Sequence, residues 1–325
     1  MSKATAAAAG FPIPATLNLV ITLAAACGAL ACLWLASHAP HWSLIVLAAL
    51  GFSFVNNTIF SLLHEAVHGV YHPECRINEA AGPLLAAFFP TSFTVQRASH
   101  FGHHRRNRTD LELFDYYLPG QSRWLKTYWL YCLLTGFYWS IIPVAGLFYL
   151  LLPWSFSTGW FQKGPARWWG FEPMVKDIAE QPRLRVWLEL AYSFGFQAAV
   201  FWALDLNWLG WLACYWAFGI NWSALQYTDH AWSRRDVREG AWNLKVGPVT
   251  RALFLNYHYH LVHHRAPGVP WIHLPKCVRP EDPQPSFWKI YFSLWLGARQ
   301  APQGPGPKPL EADELAAEQA EAAGP

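Results

Sequence analysis

Charged side chains are scarce in this chain. Asp, Glu, Lys and Arg make up 14% of its 325 residues, against roughly 25% in soluble domains. That shortage argues against a water-exposed globular fold and for a bilayer as solvent. The formal net charge is only +3, dispersed rather than gathered into the basic patches that nucleic acid requires, so no nucleic-acid partner is expected. Cysteine is sparse too. The six thiols (Cys27, Cys32, Cys75, Cys132, Cys214 and Cys277) form no Cys-x-x-Cys pair. That excludes a zinc ribbon, an iron–sulfur cluster and a disulfide framework. Four of them sit inside apolar runs, where a thiol behaves as a small hydrophobe. No Gly-rich nucleotide-binding turn is present.

Apolar and aromatic residues are abundant: 53% of the chain is hydrophobic, with 20 Trp and 13 Tyr. Amphipathic rings concentrate at membrane–water interfaces. The run Thr16–Leu35 is about 20 residues, or about 30 Å as a helix, enough to cross a bilayer. No small-residue cleavage site follows it, so it reads as a first membrane helix rather than a signal peptide. A second run, Trp42–Leu63, follows a loop around His38, Pro40 and His41. That loop has no Lys or Arg and should face away from the cytoplasm. Residues 76–97, punctuated by Pro83 and Pro90, read as a short interfacial or buried helix. Apolar runs at Tyr128–Trp154, Val186–Leu204 and Trp208–Tyr227 come next.

Histidines near 104 and near 230 can share a site only if an even number of crossings separates them. Three simple spans would place them on opposite faces. The loop 155–185 carries Lys163, Arg167, Lys176, Arg183 and Arg185, which favours the cytoplasmic side. Tyr128–Trp154, interrupted by Gly136 and Pro143, is therefore expected to dip in and return or to lie in the interface. The fold expected is an all-α integral membrane protein with about four transmembrane helices in two hairpins. Interfacial or re-entrant helices and a cytoplasmic histidine-rich cap complete it, with Ser286–Leu296 as one interfacial helix. Residues 1–15 form an N-terminal tail and 16–298 the membrane catalytic domain. Residues 299–325, rich in Pro, Gly, Ala and Glu, are expected to be a disordered tail.

Nine of the fourteen histidines fall in four places: His64-Glu-Ala-Val-His68, His100-Phe-Gly-His103-His104, Asp229-His230 and His260-Leu-Val-His263-His264. On a helix, positions i, i+3 and i+4 share a face. Each cluster can thus turn its imidazoles toward one point, and all four lie just beyond an apolar segment. A single histidine is usually a satisfied polar group; nine in this pattern are not. Neutral imidazole is the commonest metal ligand and suits Fe, Zn, Cu and Ni. Zinc sites usually stop at three or four protein ligands, so eight or nine nitrogens point to two metal ions, with redox-active iron the natural choice. His64-Glu65-x-x-His68 alone spells a zinc-protease motif with Glu65 as base. The two further His-x-x-His-His clusters, the lack of a downstream Asp–Gly ligand segment and the helix-end position weigh against an intramembrane protease. Glu65 then becomes a supporting carboxylate. A metal-binding membrane protein without catalysis is the other alternative.

The three boxes, in this order and interleaved with hydrophobic hairpins, resemble the membrane fatty acid desaturase and hydroxylase superfamily from about residue 42 to about 275. The resemblance implies two iron ions and O₂ as co-substrate. It implies His64, His68, His100, His103, His104, His230, His260, His263 and His264 as iron ligands, with adjacent pairs such as His103 and His104 serving different irons. Gln226 falls where acyl-CoA desaturases have an asparagine that holds a metal through water. Asp229, Asn256, Asp110 and Asp115 are candidate partners for imidazole N–H groups. Solvation of a loop fits Asp110 and Asp115 equally well, and capping of a turn fits Asn256. His258 does not fit the spacing, His38 and His41 lie on the wrong side, and His72 and His273 read as loop residues.

The superfamily contains desaturases, acetylenases, hydroxylases, carotenoid ketolases and hydroxylases, and decarboxylases that yield terminal alkenes. The stretch His263-His264-Arg-Ala-Pro-Gly-Val-Pro-Trp271 is similar to both desaturase and carotenoid-ketolase third boxes. Overall length and the loop 155–185 favour an acyl-chain desaturase acting on a lipid or fatty acyl substrate from the bilayer. A terminal-alkene-forming decarboxylase and a hydroxylase or ketolase are the alternatives. His72-Pro73-Glu74 lacks the glycines of a cytochrome b5 haem motif. Electrons are therefore expected from a separate ferredoxin, rubredoxin or cytochrome b5-type donor on the cytoplasmic face of a bacterial inner membrane.

Overall fold

The protein is described by a computed structural model over residues 10–311 and Glu314. The expected N-terminal tail up to residue 9, and the C-terminal residues 312–313 and 315–325, lie outside the described residues. Two long helices open the fold, α1 (Ala15–His38) and α2 (Trp42–His68), joined by a three-residue turn into a hairpin. Both are long and apolar enough to cross a membrane. Their outward faces leave Leu19, Val20, Leu23, Val46, Leu47 and Leu50 exposed, as lipid contact demands. The inner half of α2 differs: from Asn56 to Val67 every residue is buried. Its hydroxyls satisfy backbone there. Thr58 Oγ1 donates to Leu253 O (2.6 Å) and Ser61 Oγ to Phe254 O (3.1 Å).

Next come α3 (Cys75–Ala86), α4 (Phe93–Arg106) and a two-residue strand β1 (Tyr116–Tyr117). Pro83 sits inside α3 without ending it, while Pro90 lies in the break before α4. The expected non-spanning segment is a bent pair, α5 (Arg123–Leu134) and α6 (Phe137–Leu151), whose axes turn by 83°. The bend is at Gly136, with φ 76°, where a Cβ would stand 2.6 Å from Ile220 N. Pro143 is accommodated within α6. A short 3-10 turn (Ser155–Ser157), the single turn α7 (Gly159–Phe161) and a π turn (Gln162–Ala166) then lead to α8 (Glu172–Ala179).

The second pair of expected spans is α9 (Arg183–Ala203) and α10 (Trp208–Thr228). Each has 21 residues, roughly 32 Å of helix, but is less apolar than α1 and α2. They do not pack as a closed hairpin along their length. α10 lies along α2 and α1, whereas α9 packs on α3, α4 and α6. Close approach explains the choice: at Gly210 a Cβ would come within 2.6 Å of Ala36 O. Gln197 still ties the two helices, donating to Tyr215 Oη (2.7 Å) and accepting from Trp211 Nε1 (3.1 Å). Leu33, Phe52, Leu62, Leu63, Tyr215 and Phe218 form the centre of the resulting core.

The chain ends with short elements: α11 (Pro248–Leu253), α12 (His260–Arg265), a 3-10 turn (Leu274–Cys277), α13 (Phe287–Leu294) and β2 (Arg299–Gln300). Here the expectation of a free tail from 299 is corrected over the described part. Tyr116 pairs with Arg299 and Tyr117 with Gln300 in a parallel bridge, and Leu310 N donates to Arg105 O (2.9 Å). Backbone bonds from Arg299 and Ala301 to the loop that follows α4, and from Leu310 to α4 itself, anchor this stretch in a way that composition does not reveal.

Candidate metal centre

Four elements converge on the histidines. The last turns of α2 carry His64 and His68. The second half of α4 carries His100, His103 and His104. His230 follows α10 directly, and α12 carries His260, His263 and His264. The start of α4 is fixed by its cap, Ser92 Oγ accepting from Val95 N (3.1 Å). It is fixed further by Glu189, which accepts from Ser92 Oγ (2.6 Å), Thr94 N (2.7 Å) and Thr94 Oγ1 (3.0 Å). The segment after α10 is held by Trp242 N donating to Asp229 O (2.7 Å).

All nine imidazoles meet in one place, and eight of them sort into two sets of four. His64, His68, His100 and His263 form one, and His103, His230, His260 and His264 the other, with ligand atoms in each set within 4.8 Å of one another. His104 stands beside the first set, its Nε2 3.0 Å from both His100 Nε2 and His263 Nε2. Its ring also stacks on His264 at 4.4 Å. Each adjacent pair, His103/His104 and His263/His264, thus divides between the two sets.

The residues present fit metal ions. His100 Nε2 is 2.8 Å from His68 Nε2, and His103 Nε2 is 3.1 Å from His230 Nε2. Metal–imidazole bonds of about 2.1 Å at right angles put neighbouring nitrogens about 3.0 Å apart. Buried nitrogens without hydrogen-bond partners also mark the centre, namely His64 Nε2, His264 Nε2 and His260 Nδ1. Such atoms are costly unless a ligand satisfies them. Burial, with like-charged imidazoles alongside, holds His100, His104, His230, His260, His263 and His264 well below the usual imidazole range. They therefore stay in the neutral form that binds metal.

Two outer contacts orient rings. His230 Nδ1 donates to Gly240 O (2.8 Å), and His103 Nδ1 bonds the carboxylate of Glu112. Each leaves Nε2 turned inward. Glu112 escaped the sequence reading; the signal available was an acidic residue eight positions after His104, on a turn that folds back over α4. Of the outer candidates, Asp229 comes nearest, its carboxylate 3.6 Å from His260 Nδ1 and 3.8 Å from His230 Nε2. Gln226 acts at one remove, accepting from Tyr257 Oη (3.0 Å). The Tyr257 ring packs on His64 at 4.9 Å and His260 at 5.1 Å.

The other three candidates contact no imidazole, because other groups claim them. Asp110 pairs with Arg235 at the surface. Asp115 is fully buried but accepts from Arg108 Nη1 (2.8 Å) and Trp232 N (2.7 Å), so it shapes the loop beyond His230. Asn256, in a left-handed conformation at φ 59°, donates to Trp271 O (3.2 Å). Outside the centre, His258 stacks on Tyr259 at 4.1 Å. Burial, aided by Arg251, lowers it to about 4. His38 bonds Trp34 O (2.9 Å), His72 accepts from Glu74 N (3.0 Å) and His273 bonds Pro12 O (3.0 Å).

Comparison with known proteins agrees with this geometry. The fatty acid desaturase family matches residues 37–293, from the end of α1 to α13 and across every histidine of the centre. A β-carotene ketolase of Paracoccus sp. (strain PC1) is 31% identical over 136 residues, covering 39% of this chain. The match spans 54%, about half, of the ketolase's own length. A family match over most of the length, carrying all three histidine boxes, places this chain in the fatty acid desaturase family.

Proposed function

We propose that the protein holds two iron ions and uses O₂, with two electrons from a separate donor and two protons, to remove two hydrogens from adjacent carbons of a lipid acyl chain, introducing a double bond and releasing two waters. The observation that carries the reading is the division of the imidazoles into two four-histidine sets. One set would hold each iron, with His104 joining the first. When bound there, the irons supply the redox chemistry by which O₂ is reduced and a strong C–H bond is oxidised.

The protein's own groups do the rest. His230 and His103 keep fixed ring orientations through Gly240 O and Glu112. The buried walls of α2 and α12 keep water from the centre, which protects reactive states from side reactions. Tyr257, held by its hydrogen bond to Gln226, packs on His64 of one set and His260 of the other and so helps to keep the two sets in register.

A second reading, oxygenation of a carotenoid-like substrate, is supported by the resemblance to the β-carotene ketolase. A protease is disfavoured because the Glu65 carboxylate accepts the Trp271 backbone N–H (3.0 Å) and the paired His64 and His68 share a set with two further histidines.

The deciding experiment has two arms. Purified protein is analysed for metal, with about two irons per chain expected; one zinc per chain would overturn the di-iron reading. Lipids of cells expressing the protein are then compared by mass spectrometry with those expressing a His64→Ala, His264→Ala variant. Loss of two hydrogens from an acyl chain supports desaturation. Gain of oxygen on a polyene moves the assignment to the second reading, and loss of the carboxyl carbon names a decarboxylase.

A further inference from the structure

Between His64 and His68 lies a buried carboxylate that the ligand scheme leaves unused. Glu65 is 4% exposed, and its Oε2 accepts the backbone N–H of Trp271 at 3.0 Å. Trp271 belongs to the loop that leaves α12, seven residues after His264. Its indole Nε1 reaches the opposite way and donates to Asn18 Oδ1 (2.9 Å). Asn18, on α1 and fully buried, donates in turn to Tyr71 O (2.8 Å), just beyond the end of α2. Thr22 Oγ1 and Tyr71 Oη, 2.9 Å apart, add a second tie. The loop's other side is held by Asn256 Nδ2 on Trp271 O (3.2 Å).

Together these bonds connect α1, α2 and the loop after α12. They close around a cavity of about 10 Å³ bounded by Glu65, His64, His260, His263, Tyr257 and Trp271. That is the volume of roughly one water molecule. The cavity touches His64 and His263 of the first set and His260 of the second. A shift of the loop would therefore move α12, which supplies ligands to both sets. Asn18 lies before the family match, which begins at residue 37 in the last turn of α1, so the match does not include it.

We propose that Glu65 is a positioning residue: its carboxylate clasps the Trp271 loop, with Asn18 of α1 holding the loop's other face, and so keeps α12 in register for both histidine sets. A polar acceptor between two ligands of α2 is costly to bury in isolation. The bond to a backbone N–H satisfies it and at the same time fixes the loop. What the clasp requires at position 65 is an acceptor, so glutamine substitutes for glutamate and leucine does not. The metal consequence rests on the di-iron reading, whereas the clasp itself is measurable without metal.

The test compares the full-length apo-protein as wild type, Glu65→Gln, Glu65→Leu and Trp271→Phe. Amide hydrogen exchange of residues 265–274 is read first. Exchange should be slow in wild type and Glu65→Gln and faster by tenfold or more in Glu65→Leu. Trp271→Phe keeps the backbone donor but loses the indole bond to Asn18, and should fall between. Iron affinity is read second: Glu65→Leu should lose about 10–100-fold, the range typical when a group supporting metal ligands is removed, with Glu65→Gln close to wild type. Equal protection in all four proteins overturns the clasp, as does a Glu65→Gln variant that behaves like Glu65→Leu. A wild type that binds no iron while the exchange pattern holds overturns the di-iron reading and leaves the clasp standing.

Discussion

At the scale of single residues, the centre depends on groups that fix which ring nitrogen faces inward. Glu112 does this for His103, although its side chain is one-third exposed. Removing it frees the His103 ring to rotate and exchange tautomers. Glu112→Leu should therefore weaken iron at the His103/His230/His260/His264 set by about 10–100-fold while leaving the other set loaded. Metal analysis at limiting iron would then show about one tight iron per chain in place of about two. His258→Ala is the matched control, since that ring packs on Tyr259 away from both sets; its folded fraction should retain both irons. Equal iron loss in the two variants would show that Glu112 has no specific hold on His103. Eight of the nine ligand candidates were legible in the sequence because spacing at i, i+3 and i+4 reports a helix face directly, and His230 was legible through the family resemblance. Their supporting groups were not. Asp110 and Asp115 are carboxylates in the same loop as Glu112, and side-chain length with the course of the loop sends Glu112 to an imidazole and the others to Arg235 and Arg108.

At the scale of elements, the decisive feature is the bend between α5 and α6. The even number of crossings required by a shared site, set against the Lys and Arg of residues 155–185, pointed to a segment in Tyr128–Trp154 that fails to span. An 83° bend lies in that segment, the form of a broken span or of a re-entrant loop. Which interruption makes the turn was not legible: Gly136 and Pro143 both break helices by propensity, yet only Gly136 adopts a left-handed φ. A side chain at this position faces two costs. A β-branched residue at positive φ is strained by roughly 1–3 kcal/mol. Its Cβ would also press on the α10 backbone at Ile220 N and Gly219 C, 2.6 and 2.9 Å away. Gly136→Val should therefore destabilise the fold by about 2–4 kcal/mol, measured as earlier unfolding in a denaturing-detergent titration. Gly195→Ala in α9, where a Cβ meets nothing within 4 Å, should unfold as wild type does. The two helices of the expected α9–α10 hairpin pack mainly on other elements for a related reason. Gly210 and Gly219 let α10 approach α1 and α6 more closely than it approaches α9. Small residues select such partners, and nothing local to the turn announces the choice.

At the scale of the whole molecule, charge and apolar surface separate. The lipid-facing sides of α1 and α2 expose aliphatic residues. Arg234, Lys245, Arg251, Lys276 and Arg279 are exposed in the polar segments around His230 and α12. Beside the proposed di-iron centre such a surface would suit an acidic electron carrier, because opposite charge accelerates encounter and orients it. The effect is screened over about 8 Å at 0.15 M ionic strength, so salt should slow donor-dependent turnover at sub-saturating donor. A fall of roughly tenfold or more between 0.02 and 0.5 M is expected for several cooperating cations. Charge reversals at Arg234, Lys245 and Lys276, made one at a time, should raise the KM for the donor and flatten the salt dependence. Iron content and turnover at saturating donor should stay unchanged, since none of the three touches an imidazole. The reversal with the largest effect marks the docking site. Turnover that is indifferent to both salt and charge reversal would mean that the carrier docks through apolar contacts. The exposed aromatic face of α13, at Trp288 and Phe292, would then be the surface to alter next.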